Sequence, residues 1–310
     1  MNKEQLVREI LELKKEKNAL ILAHYYQNDE IQAISDYVGD SYQLSKIAKD
    51  TDAEILVFCG VTFMAETAKI LSPNKKVLLP RMDAGCFMAD TITPILLKKH
   101  LEENPNTKVI CYVNTSAAVK ALCDVCVTSS NAEKVIDNFI SENGKDVNYL
   151  YVPDKNLAKY LNKTKNLNIN CWNGYCDIHD ELTKEMVIEA KEKYPNATLV
   201  VHPEAPLDVV ELADFAGSTL GIINYCLKSD AKEFIVGTEK GILYKLNEMM
   251  PNKKFYILSE NLVCKTMKYT TLEDLYRCLK EENNEILLED EIILKAKKSP
   301  LTITKTKPAF

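Results

Sequence analysis

The sequence has no apolar run long enough to cross a membrane. No stretch of its 310 residues approaches the roughly 20 apolar residues that a membrane helix needs. Residues 1–17 carry charges throughout and lack the apolar centre of a signal peptide. The net charge of −6 leaves no basic stripe of the kind that binds nucleic acid. We therefore predict a cytoplasmic protein whose partners include neither a membrane nor a nucleic acid.

The ten cysteines also lack a zinc-finger pattern. Cys123 and Cys126 form one C-x₂-C pair, but there is no second pair, and no histidine follows at finger spacing. A redox couple or half of a zinc site stays open here, and we favour a structural role. In a long chain without a secretory leader, cysteines more often bind metal, catalyse or lie buried as small apolar side chains. We expect most of the ten to be buried.

Three of the cysteines, in contrast, recur at a nearly constant spacing. Cys176 follows Cys86 by 90 positions, and Cys264 follows Cys176 by 88. Each comes just after a predicted turn or strand end. Cys171 forms a C-x₄-C pair with Cys176 but is out of register, so we select Cys176 alone. A fixed period of this kind indicates an internal repeat.

Other residues keep the same period. Three strand-like apolar runs each end in a polar or aromatic residue, namely His24, Tyr112 and His202. A hydroxyl follows each by 17 positions, at Ser41, Ser129 and Thr219. An aspartate stands five positions before each hydroxyl, at Asp36, Asp124 and Asp214. The shared register of all these positions makes three copies of one unit the best interpretation.

We predict an α/β fold of three repeated three-layer α/β/α units. Their short parallel sheets would lie in a pseudo-threefold arrangement around a central site. The predicted units are 1–92, which includes an N-terminal amphipathic helix, 93–180 and 181–268. Residues 269–310 are predicted to form helices and a basic tail that pack on the body. Folds of this class bind ligands at the carboxyl ends of parallel strands, so three copies predict one shared site.

Three converging thiolates suit zinc or an iron–sulfur cluster, because both are bound by soft sulfur ligands. An ordinary cubane electron carrier has four cysteines, and no fourth cysteine shares this register. Three-point attachment would leave one iron open as a Lewis acid that helps to expel hydroxide. We therefore expect a pocket for a small polycarboxylate that undergoes dehydration or condensation. Side chains expected around it are His24, Tyr26, Tyr112, Asn114, Ser129, His202, Glu204 and Thr219.

Two further segments have more than one interpretation. His179 could ligate a metal, orient a loop or cap a helix, and the helix predicted at 182–194 favours the loop or capping role. The turn at 236–241 resembles a phosphate-binding loop only weakly. Residues 30–37 are predicted to be helical.

Taken together, these residues resemble the quinolinate synthase family over nearly the whole chain. The motifs that carry the resemblance are Ala23–Gln27, Gly39–Ser41, Asp83–Asp90, Tyr112–Ala117, Thr128–Ala132, Trp172–His179, His202–Glu204 and Gly237–Glu239.

The resemblance implies three α/β domains around one [4Fe–4S] cluster held by Cys86, Cys176 and Cys264. It implies condensation of iminoaspartate with dihydroxyacetone phosphate to quinolinate, with loss of phosphate and two waters. An L-aspartate oxidase or dehydrogenase that makes iminoaspartate would be a functional partner. Implied ligands of the substrates are His24, Ser41, Tyr112, Asn114, Ser129, His202, Glu204 and Thr219. Tyr26 and Glu204 would transfer protons, together with Tyr112 and His202.

Two rival functions remain at this point. One is an iron–sulfur redox sensor, although no partner-binding module such as a basic helix-turn-helix is visible. The other is a hydro-lyase that acts on a hydroxy acid through the same open iron. An anaerobic assay with the two quinolinate precursors separates all three functions.

Overall fold

The computed structural model describes residues 2–298 and divides most of them among three similar sheets. The first sheet and its helices comprise α1 (Lys3–Glu16), β1 (Ala19–His24), α2 (Asp29–Ile34), β2 (Tyr37–Gly39), α3 (Ser41–Asp50), β3 (Ile55–Cys59), α4 (Thr62–Leu71), β4 (Lys76–Leu78) and α5 (Phe87–Asp90). Helix α1 begins with Asn2 as its N-cap and buries Leu6 and Ile10. The predicted amphipathic N-terminal helix is therefore present.

The second sheet repeats this order of elements. It comprises α6 (Pro94–Glu103), β5 (Lys108–Tyr112), α7 (Ala117–Lys120), β6 (Val125–Val127), α8 (Ala132–Asn143), β7 (Tyr149–Val152), α9 (Lys155–Lys165) and β8 (Asn170–Cys171). The third comprises α10 (Lys184–Lys193), β9 (Thr198–Val201), α11 (Leu207–Val210), β10 (Phe215–Ala216), α12 (Thr219–Lys228), β11 (Glu233–Gly237), α13 (Ile242–Met249) and β12 (Lys254–Ile257).

All three sheets have four parallel strands in the same spatial order. The strand that is first in the chain lies between the second and third, giving β2-β1-β3-β4, β6-β5-β7-β8 and β10-β9-β11-β12. This order confirms the predicted α/β class and the three repeats. The predicted boundaries between the units stay predictions.

The outer strands β2, β6 and β10 were missed by the sequence analysis. They have only three, three and two residues, which is too short for an alternating pattern to stand out. The helix predicted at 30–37 is therefore wrong in its last part. It ends at Ile34, and β2 begins at Tyr37, where it pairs with Leu22 of β1.

The three registered aspartates tie each outer strand to the strand beside it. Each aspartate carboxylate accepts a hydrogen bond from a backbone N–H fifteen positions earlier, at 2.7–2.8 Å, and its own N–H donates to that residue's carbonyl. The pairs are Asp36 with Ile21, Asp124 with Val109, and Asp214 with Leu199. Their role is thus structural, and it is the same in all three units.

The segment after the third sheet packs back on the first unit. It contains a short 3₁₀ helix (Met267–Tyr269), α14 (Leu272–Glu281) and α15 (Asp290–Lys298). Leu272 and Leu275 of α14 share a core with Leu6 and Ile10 of α1. The basic tail beyond Lys298 lies outside the described residues. None of the helices within residues 2–298 is both long and apolar enough to span a bilayer.

Candidate active site

One cavity of about 710 Å³ opens where the carboxyl ends of the three sheets meet. Strands β1, β5 and β9 deliver residues to it, because each ends at or just before its wall. Every site residue predicted from the sequence lines this cavity: His24, Tyr26, Ser41, Cys86, Tyr112, Asn114, Ser129, Cys176, His202, Glu204, Thr219 and Cys264. The three units therefore bring these twelve side chains together, and none is left outside.

The first and third units present a histidine in the same way. The backbone N–H of Tyr26 donates to Nδ1 of His24 at 3.1 Å, and that of Glu204 donates to Nδ1 of His202 at 3.3 Å. Burial lowers the pKa of His24 to about 3 and that of His202 to about 4. Because Nδ1 accepts in each neutral ring, the hydrogen is on Nε2. Both histidines thus act as neutral hydrogen-bond donors.

A carboxylate from the first unit and hydroxyl groups from the other two meet beside the cavity at the starts of helices. Ser130 Oγ lies 2.7 Å from Oδ2 of Asp40 and 2.8 Å from Oγ of Ser218. Asp40 and Ser218 are the N-caps of α3 and α12, and Ser130 immediately precedes the start of α8. The neighbouring Ser41, Ser129 and Thr219 line the cavity. Because Asp40 and Ser218 already accept N–H groups at the starts of α3 and α12, this wall offers a phosphate or carboxylate mainly hydroxyl donors.

The cavity holds few cationic side chains to balance an anion. Lys265 is the one lysine or arginine among the described residues that line it, whereas Glu204 and Glu239 are both buried in its wall. An anionic ligand would therefore be bound mainly by N–H and O–H donors.

The three registered cysteines share one local geometry. Each sulfur accepts a hydrogen bond from the backbone N–H three residues later, from Ala89, His179 and Met267 respectively. Burial raises the pKa of all three thiols. N–H groups aimed at sulfur stabilise metal-bound thiolates, so the donor set fits a metal group with sulfur ligands.

The arrangement does not resemble a site for one small ion held by these three sulfurs. Among the described residues, the group whose ligand atoms all lie within 4.8 Å of one another is Cys176, His179 and Glu204, and it does not include Cys86 or Cys264. The three thiols face one space from three units, as a larger polynuclear group requires.

Two neighbouring features hold the cysteine loops in place. The carboxylate of Glu239 accepts hydrogen bonds from the backbone N–H of Gly241 at 2.6 Å and of Cys264 at 3.3 Å. Gly174 packs so closely that a Cβ there would lie 2.2 Å from Oγ1 of Thr91. Glycine is thus required two residues before Cys176.

Glu204 is buried in the cavity wall and contacts a phenol and an imidazole. Tyr112 donates its phenol to Oε1 at 2.7 Å, and Nδ1 of His179 lies 3.0 Å from Oε2. Burial alone would raise the pKa of Glu204, but His202, His179 and the Tyr112 hydrogen bond together lower it to about 2. The carboxylate is therefore ionised.

Among the residues that sequence reasoning did not select, His179 and Thr238 contact predicted site residues. His179 does not cap α10, whose N-cap is Thr183, so the capping role considered for it is wrong. It is 2% exposed and contacts Glu204, Cys176 and Thr238 instead. The only sequence signals were the position three residues after Cys176 and the motif Gly237–Glu239.

The C-x₂-C pair, Cys123 and Cys126, lies away from the candidate site. Cys126 lies in β6 opposite Cys111 of β5, and both are buried. Neither Cys123 nor Cys126 lines the cavity. The structural role favoured from the sequence agrees with this placement.

Comparison with known proteins gives the family. The sequence model of the NadA family, described as quinolinate synthetase A protein, matches residues 8–303. The quinolinate synthase of Clostridioides difficile strain 630 is 49% identical over 301 residues, which is 97% of each chain. That of Clostridium perfringens strain 13 is 50% identical over 289 residues, covering 93% of this chain and 94% of the relative. That of Caldicellulosiruptor saccharolyticus is 49% identical over 302 residues, covering 97% and 98%. With a match of this extent and identities near one half, the chain belongs to the quinolinate synthase family, a family of enzymes of NAD biosynthesis.

Proposed function

We propose that this protein condenses iminoaspartate with dihydroxyacetone phosphate to form quinolinate, with loss of phosphate and two waters. The observation that carries the proposal is the convergence of all twelve sequence-predicted residues on one cavity, with three thiols among them. The membership of the quinolinate synthase family supports the same reaction.

Cys86, Cys176 and Cys264 would hold a [4Fe–4S] cluster by three of its four irons. When bound, the cluster supplies an open iron that acts as a Lewis acid toward a substrate oxygen or nitrogen. The backbone N–H groups aimed at the three sulfurs support a thiolate-bound group at this place.

The hydroxyl-rich wall would bind the anionic groups of both substrates. Ser41, Ser129 and Thr219 stand near the N-termini of α3, α8 and α12, where their hydroxyl groups and the positive ends of the helix dipoles favour negative charge. Asn114, at the turn after β5, adds a side-chain amide to the same cavity. Neutral donors of this kind hold a carboxylate or phosphate in a fixed orientation without trapping it as tightly as a charged pair would.

Four side chains are placed to hold or move protons. The ionised Glu204 would take a proton from a substrate carbon or nitrogen, and Tyr26, which also lines the cavity, would exchange a proton with the substrate. Tyr112 orients Glu204 through the 2.7 Å bond to Oε1. His24 and His202 would donate from Nε2 to substrate oxygen atoms, because each uses Nδ1 as an acceptor of a backbone N–H.

Iminoaspartate hydrolyses readily because it is an imine, so it must be made close in time to its use. An enzyme that oxidises or dehydrogenates L-aspartate would supply it, and we propose a functional link to an enzyme of that class.

The test is an anaerobic assay with the purified holoenzyme. Iminoaspartate is generated in place and mixed with dihydroxyacetone phosphate, and quinolinate is measured by chromatography. Quinolinate formed together with phosphate, in protein with about four irons and four sulfides per chain, supports the proposal. Stoichiometric zinc without sulfide would reject the cluster. Dehydration of a hydroxy acid without condensation would point to a hydro-lyase, and a redox-active cluster without turnover would point to a sensor.

A further inference from the structure

The turn that carries Asn114 into the cavity wall is held by a buried lysine. Lys120 of α7 is 3% exposed, and its Nζ donates to the carbonyl oxygen of Val113 at 2.7 Å and to that of Thr115. These two carbonyl groups stand immediately before and after Asn114, which lines the cavity, whereas Lys120 does not line it. One ammonium group therefore fixes the backbone on both sides of a site residue.

The first unit has the same arrangement with the neutral side chain of Gln32. In both units the donor follows the registered residue at the strand end by eight positions. Nε2 of Gln32 lies 2.9 Å from the carbonyl oxygen of Tyr25 and 3.0 Å from that of Gln27, and Tyr26 stands between these two residues. Tyr26 and Asn114 are equivalent positions of the repeat, so two units hold their cavity residue in the same way.

The third unit holds its cavity residue without such a donor. Val210 occupies the equivalent position, and its side chain cannot donate a hydrogen bond. Pro203 and Pro206 restrict the backbone around Glu204 instead, and Nδ2 of Asn156 donates to the Glu204 carbonyl oxygen at 3.0 Å. All three units therefore fix the backbone at the same relative position, by different means.

A carboxylate of the first unit holds the same turn as Lys120. Glu66 of α4 accepts the backbone N–H of Ala117 at 2.8 Å. Burial raises the pKa of Glu66, and the positive charge of Lys120 opposes that rise. The Lys120 ammonium also lies 5.7 Å from the centre of the Phe63 ring, which lines the cavity. The turn after β5 is thus held from two units at once.

We propose that Lys120 is a positioning residue, which holds the carbonyl groups on either side of Asn114 so that the Asn114 amide keeps one orientation toward a substrate. This inference rests on the proposed function, in which Asn114 binds an anionic group of a substrate. Without the ammonium group, two buried carbonyl groups lose their donor. The turn then gains freedom, and the amide must be ordered again each time a substrate binds.

The test compares two replacements of Lys120 with one matched control. Lys120→Met keeps the length of the side chain and removes its donors, whereas Lys120→Gln installs the donor that the first unit uses. Lys69→Met is the control, because Lys69 is also buried, donates to the carbonyl oxygen of Lys75 and does not line the cavity. Iron, sulfide, kcat and the KM of both substrates are measured anaerobically, and hydrogen exchange is measured for the backbone amides of residues 112–117. Should Lys120→Met fail to fold, Lys120→Ala takes its place.

Lys120→Met is expected to raise the KM of one substrate about tenfold, since one hydrogen bond corresponds to roughly a factor of ten in binding. The value of kcat should stay within about twofold of wild type, because an interaction that is equal in the ground state and the transition state affects KM alone. The amides of residues 112–117 should exchange faster. Lys120→Gln should recover most of both effects, and Lys69→Met should show neither.

Asn114→Ala completes a double-mutant cycle. In that background Lys120→Met should raise KM by no more than about twofold, because residues that act through one contact are not additive. Full additivity, an unchanged KM in Lys120→Met, or a glutamine variant as impaired as the methionine variant overturns the inference. Absence of quinolinate from the wild-type enzyme would instead overturn the proposed function. Unchanged hydrogen exchange at residues 112–117 in Lys120→Met would overturn the inference in either case.

Discussion

The three units carry the same residue at their sheet edges but different residues at the strand ends that face the cavity. At the edges, Asp36, Asp124 and Asp214 make the same hydrogen bond to the same relative position in every unit. At the cavity ends, the corresponding residues are His24, Tyr112 and His202, and two positions later Tyr26, Asn114 and Glu204. The edge residues are identical, and the cavity residues differ.

Folding places the same requirement on every unit, whereas the chemistry of the shared cavity requires a different side chain from each. Each sheet faces the same problem at its edge, which is to tie a strand of two or three residues to its neighbour, so one solution serves three times. In contrast, the cavity is shared, and three copies of one side chain could not supply an acid, a base and neutral donors together. The cysteines combine both features, because the residue type and the N–H···S contact repeat while all three residues line the one shared cavity.

The largest loss of activity is expected when one of the three registered cysteines is replaced. Cys176→Ala should remove the metal group and the activity together, because one of three attachments and its N–H···S contact are lost. Cys171→Ala is the matched control, since Cys171 lies only five positions away in β8 and outside the cavity. Iron and sulfide are counted in both proteins after anaerobic reconstitution. A Cys171→Ala protein without cluster, beside a Cys176→Ala protein that keeps it, would show that the repeat register selects the wrong cysteine.

The next largest loss of activity is expected when Glu204 of the third unit is replaced. Glu204→Gln preserves the shape and removes the proposed base, and losses of about 10²–10⁴-fold in kcat are typical when a proton-transfer group is lost. Glu211→Gln, in an exposed ion pair with Lys163, provides the control and should retain normal turnover. The iron content of both is measured so that only cluster-replete enzymes are compared. Near-normal turnover of Glu204→Gln would mean that this carboxylate only shapes the cavity.

The repeat register explains why so much of the site could be predicted from the sequence. Positions such as His24, Tyr112 and His202 follow apolar runs at a constant period, and parallel strands carry such positions to one edge. The substrates and most of the individual roles came only from the resemblance to the family, whereas the three registered cysteines left zinc and an iron–sulfur cluster open. Spacing alone says which residues meet, not what they bind.

The residues that were not selected lack a repeated side-chain type. His179 occupies the same position after its cysteine as Ala89 and Met267, but only His179 carries an imidazole, and the importance of His179 and Thr238 comes from contacts across units. Such contacts depend on how the sheets face each other, which local patterns do not encode. The short strands β2, β6 and β10 were missed for the opposite reason, because they are local but too brief to show a period.

Lowering the pH should have a smaller effect, which is on the free energy of unfolding. This effect tests whether His24 and His202 are neutral in the folded protein. Burial lowers the pKa of His24 from 6.5 to about 3 and that of His202 to about 4. The unfolded chain therefore binds more protons than the folded one as the pH falls below about 6.5, and stability decreases toward the folded pKa values. His24→Gln should show a weaker loss of unfolding free energy between pH 7.5 and pH 5 than wild type. Urea unfolding at the two pH values measures this, and equal losses in both proteins would contradict a neutral, buried His24.

The smallest effect is expected on the free energy of unfolding, when an aspartate at a sheet edge is replaced. Asp36→Ala leaves the N–H of Ile21 without its 2.8 Å acceptor and removes the partner of Lys14. An unsatisfied backbone donor costs about 1–3 kcal/mol, and the exposed side of Asp36 lets water reduce that cost. The free energy of unfolding should therefore fall by about 1–2 kcal/mol, while kcat and iron content at 25 °C stay at wild-type values, because Asp36 does not line the cavity. Asp230→Ala, at an exposed turn after α12, should leave stability unchanged. If Asp36→Ala instead lowered kcat as well as the free energy of unfolding, the sheet edge and the cavity would not be independent. The repeated aspartates would then belong with the residues that position the site.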